Sequence, residues 1–289
     1  MATPQAPNKN QGAGGNGHKH DPNALAVVGG GALPAFLDDK VEADAGRGVS
    51  TDQADNLVPL IYLLQTNSPQ VNQRNEKYVD GAAPGDIWLR NSDTPIIRGD
   101  EGIVFQPCHF QVSYNEWVPR DDNGGFVGVH LSVPPNAKRG EDPTKPGKVY
   151  WEMPNGNEII ETRTYRGFVI LPDGRALPYS LPFSGTGHTA AKTMMFLSNQ
   201  QRTTKGTKPA LWSCFYRLKT QLRKNKLGEF FNFTVANAGV NGKTAWVQTA
   251  EEYERGRALY EAFESGAKKD EAPAHNDADA AMDDAGGKV

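Results

Sequence analysis

The sequence predicts a mainly β fold, an OB-like Greek-key barrel with one inserted helix and a C-terminal helix, flanked by disordered termini. Two observations carry this expectation. Five runs with strand patterning, 102–119, 158–171, 176–183, 210–222 and 229–236, are separated for the most part by turn-forming residues. A single run with helical spacing, Ser184 to Ser198, falls between the third and the fourth. A doubly wound α/β sheet would need a helix after every strand, whereas a small barrel tolerates one insertion. A sandwich or a jelly roll fits the strand count nearly as well, because alternation does not report closure.

The elements follow in order along a chain of 289 residues with 31 Gly and 20 Pro and a mean hydropathy of -0.60. Residues 1–48 and 266–289 could bury too little apolar surface to offset chain entropy, so they are read as a disordered arm and a disordered acidic tail. Between them lie a folded core over 49–248 and a helix over 249–265. Ser50-Thr51-Asp52-Gln53 would cap a short helix that Pro59 ends, and Leu60 to Leu64 reads as a buried strand. In 102–119, Val104, Cys108, Phe110, Val112, Tyr114 and Val118 share one parity, which implies one long strand with one buried face. Residues 119–148 read as a hairpin or extended loop. Thr249-Ala250-Glu251-Glu252 has the form of a capping box, followed by Tyr253, Gly256, Tyr260 and Phe263 on one helical face.

Motifs of high chemical specificity are missing. The sequence has no G-x-x-x-x-G-K-[ST], H-E-x-x-H, C-x-x-C or G-x-S-x-G and no EF-hand loop. No metal, cofactor or catalytic residue is therefore expected. Cys108 and Cys214 lie in apolar strand-like runs and read as reduced core thiols. His18 and His20 sit in a Gly/Asn-rich arm, and Asp38-Asp39 and Asp121-Asp122 in turn composition, which makes each pair a solvated accident. No 18-residue apolar run and no secretory leader is present, so a cytoplasmic protein without a membrane partner is expected.

The net charge of -3 conceals a strong segregation. From 163 to 226 twelve Lys and Arg face one acid, Asp173, whereas from 250 to 289 eleven acids face five bases. A segment with that excess suits a polyanion, because each cation near a phosphate releases condensed counterions. In 210–222, Trp212, Cys214, Tyr216, Leu218 and Leu222 fall on one face and Phe215, Arg217, Lys219 and Gln221 on the other, followed by Arg223, Lys224 and Lys226. In 158–171 Arg163 shares a face with Tyr165, and Arg166 with Phe168. The run Gly185 to Thr193 looks superficially like a phosphate loop, but Ala191 stands where a glycine is required, so it reads as a helix entry whose N–H groups could hold one backbone phosphate near Lys192. Aromatics interleaved with cations are what a single-strand groove uses. The expected contacts are thus Arg163, Arg166, Lys192, Arg217, Lys219, Arg223, Lys224 and Lys226, with Tyr165 and Phe215 stacking on bases. No helix lined with Arg, Asn and Gln offers itself to a major groove. The acidic tail would compete for the same groove or dock replication or recombination proteins, and its removal from residue 266 would tighten binding.

These features resemble the single-stranded DNA-binding proteins of tailed phages: basic, aromatic strands, a helix after LPYSLPFSGTGHTAAK, and an acidic C-terminal tail. The runs VPLIYLLQTNSPQV, GAAPGDIWLRN and EGIVFQPCHFQVSYNEWVPRD also resemble phage early-region proteins, and the likeness covers about 50–240. It implies protection of single strands in phage DNA replication or recombination, in the host cytoplasm, without catalysis and with an oligomer allowed. The chain departs from it in ending Gly-Gly-Lys-Val without a terminal aromatic, and in lacking a Cys/His zinc cluster. The rival expectations are a single-strand annealing mediator, a virion or scaffold protein, and a magnesium-dependent nuclease.

Overall fold

The computed structural model describes residues 57–119, 124–141, 149–225 and 228–273. The N-terminal arm, the cap at 50–53, Lys226 and the acidic residues from 274 onward lie outside the described residues. The chain begins with β1 (Leu57–Val58), then β2 (Ile61–Leu63), β3 (Ile87–Leu89) and β4 (Ile96–Ile97), the last three forming a small antiparallel sheet. The strands β5 (Ile103–Val118), β6 (Gly125–His130), β7 (Lys138–Glu141), β8 (Val149–Glu152), β9 (Glu158–Ile170) and β10 (Ala176–Phe183) follow. Helix α1 (His188–Gln200) precedes β11 (Cys214–Asn225), β12 (Gly228–Asn237) and β13 (Ala245–Trp246), and helix α2 (Ala250–Glu264) leads to β14 (Lys269–Asp270).

The fold is mainly β, but the sheet is not closed. Its order is β12-β11-β5-β9-β8-β7, and β12 and β7 do not pair with each other. The reason lies in two strands of unusual length, β5 and β9, which pair antiparallel from Val104↔Ile170 to Trp117↔Glu158. Their near halves carry β11, β12 and β10; their far halves carry β6, β8 and β7. A spine of that length fans out rather than curling into a small barrel.

Both faces of the near half are covered. On one, Phe105, Tyr165, Val169, Leu181, Phe183, Tyr216 and Leu218 pack with Ala190, Ala191 and Met194 of α1 and with Ile61, Leu63, Ile87 and Leu89 of the small sheet. Each of the larger side chains contributes about 1.5–3 kcal/mol on burial, the two alanines less. On the other face, Cys108 and Phe168 pack with Leu259 of α2, bordered by Trp212 and Phe263. The single-parity expectation for β5 fails at Pro107: a residue without an N–H cannot hold the ladder, and the register shifts between Pro107 and His109. Phe110 therefore turns to the α1 side, its ring 4.7 Å from that of Tyr165, while Cys108 stays on the α2 side.

The capping box opens α2 as expected: the Glu252 N–H donates to Thr249 Oγ1 and the Thr249 N–H to Glu252 Oε2. Gly256 is required at the crossing with Trp212, whose Cβ would lie 2.6 Å from any added methyl. Beyond the helix the chain stays on the body. Lys269 and Asp270 pair parallel with Leu57 and Val58, and the Glu271 N–H donates to Val58 O. Residues 266–273, the first part of the expected tail, thus supply a strand, and Asp270 is held by Arg166 and Ser180 of the main sheet.

Candidate nucleic-acid interface

The β11–β12 hairpin ends the sheet, and its register settles which side chains share its outer face. Arg217 pairs with Ala236, Lys219 with Thr234, Gln221 with Asn232 and Arg223 with Phe230. Opposed residues lie on the same side of the pleat, so Arg217, Lys219 and Arg223 stand in a row with Phe230, with Phe215 at its inner end. Alternation along β11 buries Cys214, Tyr216 and Leu218 and leaves Lys219, Gln221 and Arg223 exposed. The same-face positions repeat every ~7 Å along the strand. Arg217, Lys219 and Arg223 make no ion pair with any described residue, whereas Lys224 meets Glu229 at 3.4 Å with both side chains well exposed. The turn bearing the exposed Asp100 and Glu101 passes close by, since Gly102, at φ 71, runs against Leu218 O and the Lys219 stem.

A second group of cations is tethered at the end of α1, where Asn237 opposes the core-facing Tyr216. The Gln201 side chain is 8% exposed, donates to Leu197 O and Asn237 Oδ1, and accepts from the Thr244 hydroxyl. These bonds hold the loop bearing Arg202, Lys205 and Lys208 against the turn bearing Lys243. Between Gly174 and Gly228 the sequence contains no Asp or Glu.

Three expected contacts belong to the body instead. Tyr165 is 0% exposed, its hydroxyl donating to Ala191 O, and cannot stack on a base. Arg163 is held by Glu161 at 2.8 Å, two residues back on the same strand face. Arg166 is 8% exposed and lies under the end of α2, where it donates to both carboxylate oxygens of Asp270, to Gln111 Oε1 and to His109 Nδ1, with Phe263 4.7 Å from its guanidinium carbon. Lys192 is exposed on α1, apart from the hairpin row, and Phe215 is half-buried beside Ala245 of β13. Of the expected contacts, Arg217, Lys219 and Arg223 share the outer face of the hairpin, Lys224 falls on the opposite face beside Glu229, and Lys226 lies outside the described residues. Phe230 was missed in the sequence because only the strand register puts it opposite Arg223.

The His109–Arg166 contact fixes a protonation state. With Nδ1 accepting from Arg166, Nε2 carries the proton and donates to Glu264 Oε1 at 3.0 Å. Burial, and next the Arg166 charge, hold His109 below its ordinary 6.5, against the opposing pull of Glu264 and Asp270. Half-burial lowers His188 as well, against the pull of its bond to Glu161 O. A histidine depressed in the folded state binds fewer protons there than in the unfolded chain. Stability is therefore full above about pH 6.5 and falls as pH drops below it. Urea midpoints are expected to decline from about pH 6.5 downward, ahead of carboxylate protonation, and His109→Gln to flatten part of that decline; a midpoint level down to pH 5 would count against this reading.

The cysteines are free and buried in different clusters, and burial pushes Cys214 up to about 12, so neither is a ready thiolate. Among the described residues no three His, Cys, Asp or Glu side chains converge, and no helix is long and apolar enough to cross a membrane.

Residues 27–269 match the family model described as Pam3 phage gp34-like protein. The chain belongs to this phage family. The matched region runs through every strand of the main sheet and into β14, and begins inside the segment expected to be a disordered arm. No curated protein and no solved structure matches the chain.

Proposed function

We propose that this phage protein is a non-catalytic single-stranded DNA-binding protein acting in phage DNA replication or recombination, and that the strand lies along the outer face of the β11–β12 hairpin. The observation that carries the reading is the row of half-buried Arg217 and exposed Lys219 and Arg223, without ion-pair partners among the described residues and with Phe230 beside it. Cations on a strand can track a flexible backbone while a neighbouring ring takes an unpaired base, and such binding is sequence-tolerant and steeply salt-dependent. The open sheet supports the reading as well as a barrel would, because only the hairpin face is used. Replication or recombination proteins docking on the acidic residues beyond 273 remain part of the proposal. A truncation that tests this starts after Pro273, since cutting at 266 removes Asp270 and β14.

The test is fluorescence anisotropy of labelled oligo-dT with the full chain, using unlabelled duplex as competitor and no magnesium. Retention of the label against excess duplex supports the reading; displacement by duplex at equal concentration contradicts it. A second reading, a virion or scaffold subunit, is favoured by one observation. Edge strand β6 carries no Lys, Pro, Asp or Glu, and Val127, Val129 and Leu131 nearby are 51%, 56% and 73% exposed. Large assemblies that ignore oligo-dT would select it.

A further inference from the structure

Phe196 is an exposed aromatic side chain, at 59%. It sits on α1, whose Ala190, Ala191, Met194 and Ser198 are buried against the sheet. At about 100° per residue, Lys192, Phe196 and Asn199 fall within about 60° of arc on the opposite side. The Asn199 amide oxygen accepts from Lys208 Nζ at 2.7 Å, which brings a second cation to the end of this stripe, and Arg202 is folded back onto Asn199 O and Gln201 O at the helix terminus. The helix has no acid in its first turn, and the whole stretch 174–228 has none. An exposed phenyl ring set between ammonium and guanidinium groups, with no carboxylate in its own segment, matches the chemistry of a nucleobase and its phosphates. An apolar protein partner would gain nothing from the three flanking charges.

We infer that the Lys192–Phe196–Lys208 stripe of α1 is a second contact for single-stranded nucleic acid, with Phe196 stacking on a base and Lys192, Lys208 and Arg202 meeting its flanking phosphates. The inference rests on the reading of the hairpin as a nucleic-acid contact and extends it. Helix α1 packs against β12, the outermost strand, on the side away from the hairpin row: Arg217 opposes Val104, whose other neighbour Ile170 borders the α2-side cluster. A strand that wraps the β12 edge meets both patches. This gives a longer footprint than the hairpin face alone.

The test uses the full chain with an oligo-dT of about 30 nucleotides, longer than a single small fold commonly covers. Phe196→Ala is expected to weaken binding about tenfold without changing the salt slope, and Phe196→Tyr to restore it. Lys192→Gln/Lys208→Gln is expected to reduce the slope by about one. An oligonucleotide carrying 5-iodouracil is expected to cross-link within the tryptic peptide 193–202. Oligo-dT binding that is unchanged in Phe196→Ala, with no cross-link in 193–202, overturns this inference and leaves the hairpin reading standing. Loss of self-association in Phe196→Ala with intact oligonucleotide binding assigns the ring to a protein contact and also overturns it. A wild-type chain that binds no oligo-dT overturns both.

Discussion

Asp270→Ala is expected to lower the unfolding free energy by about 3–5 kcal/mol, the loss typical of leaving one member of a buried ion pair without its partner. The Asp270 carboxylate takes bonds from the Arg166 Nε and Nη2 and from the Ser180 hydroxyl, and the Arg166 side chain is only 10% exposed. Without it the guanidinium keeps Gln111, His109 and the Phe263 ring but has no anion of its own. The two-residue pairing of β14 with β1 would loosen as well. Arg166→Met/Asp270→Leu is expected to recover part of the loss, since apolar replacement of both partners removes the buried charge. Lys224→Ala, which breaks an exposed pair with Glu229, is expected to stay within about 0.5 kcal/mol. Urea unfolding followed by tryptophan fluorescence measures all three; a loss below 1 kcal/mol for Asp270→Ala would show that 266–273 does not anchor the body.

Neutralising the hairpin row should have the largest effect on binding. Arg217→Gln/Lys219→Gln/Arg223→Gln is expected to weaken oligo-dT binding about a hundredfold at low salt and to lower the slope of log affinity against log salt by about two, at roughly 0.7 per phosphate contact on a single strand. Because none of the three side chains bonds to a described residue, the urea midpoint should hardly move. Arg163→Gln is the matched control: it also removes one cation of the basic segment, but one already neutralised by Glu161. Equal losses for Arg163→Gln and for a single hairpin substitution would mean that binding follows overall charge and not this face.

The strand runs were legible because β5, β9, β10, β11 and β12 are long and alternate, and the capping box placed α2 because Thr249 and Glu252 stand three apart before an apolar stripe. Closure was not legible. Whether β5 curls or extends depends on how far β9 follows it, and that long-range register leaves no local pattern. The site was legible where a single strand decides it, as in the alternation of β11. It failed where a neighbour decides: Arg166 becomes structural through Asp270, which lies 104 positions away in a segment composed like a tail. Arg163 is a different failure, since Glu161 stands two residues before it and the charge count began at 163. Phe230 and the exposed stripe of α1 needed the pairing of β12 and the packing of the helix, neither of which composition carries.

The most direct measurement is a salt titration of oligo-dT affinity for the full-length chain beside the hairpin triple variant, at constant pH and without magnesium. The account predicts tight binding at 50 mM salt that falls steeply by 300 mM, with a slope shallower by about two in the variant. Superimposable titrations for the two proteins, or no binding by the wild-type chain at 50 mM salt, would contradict it.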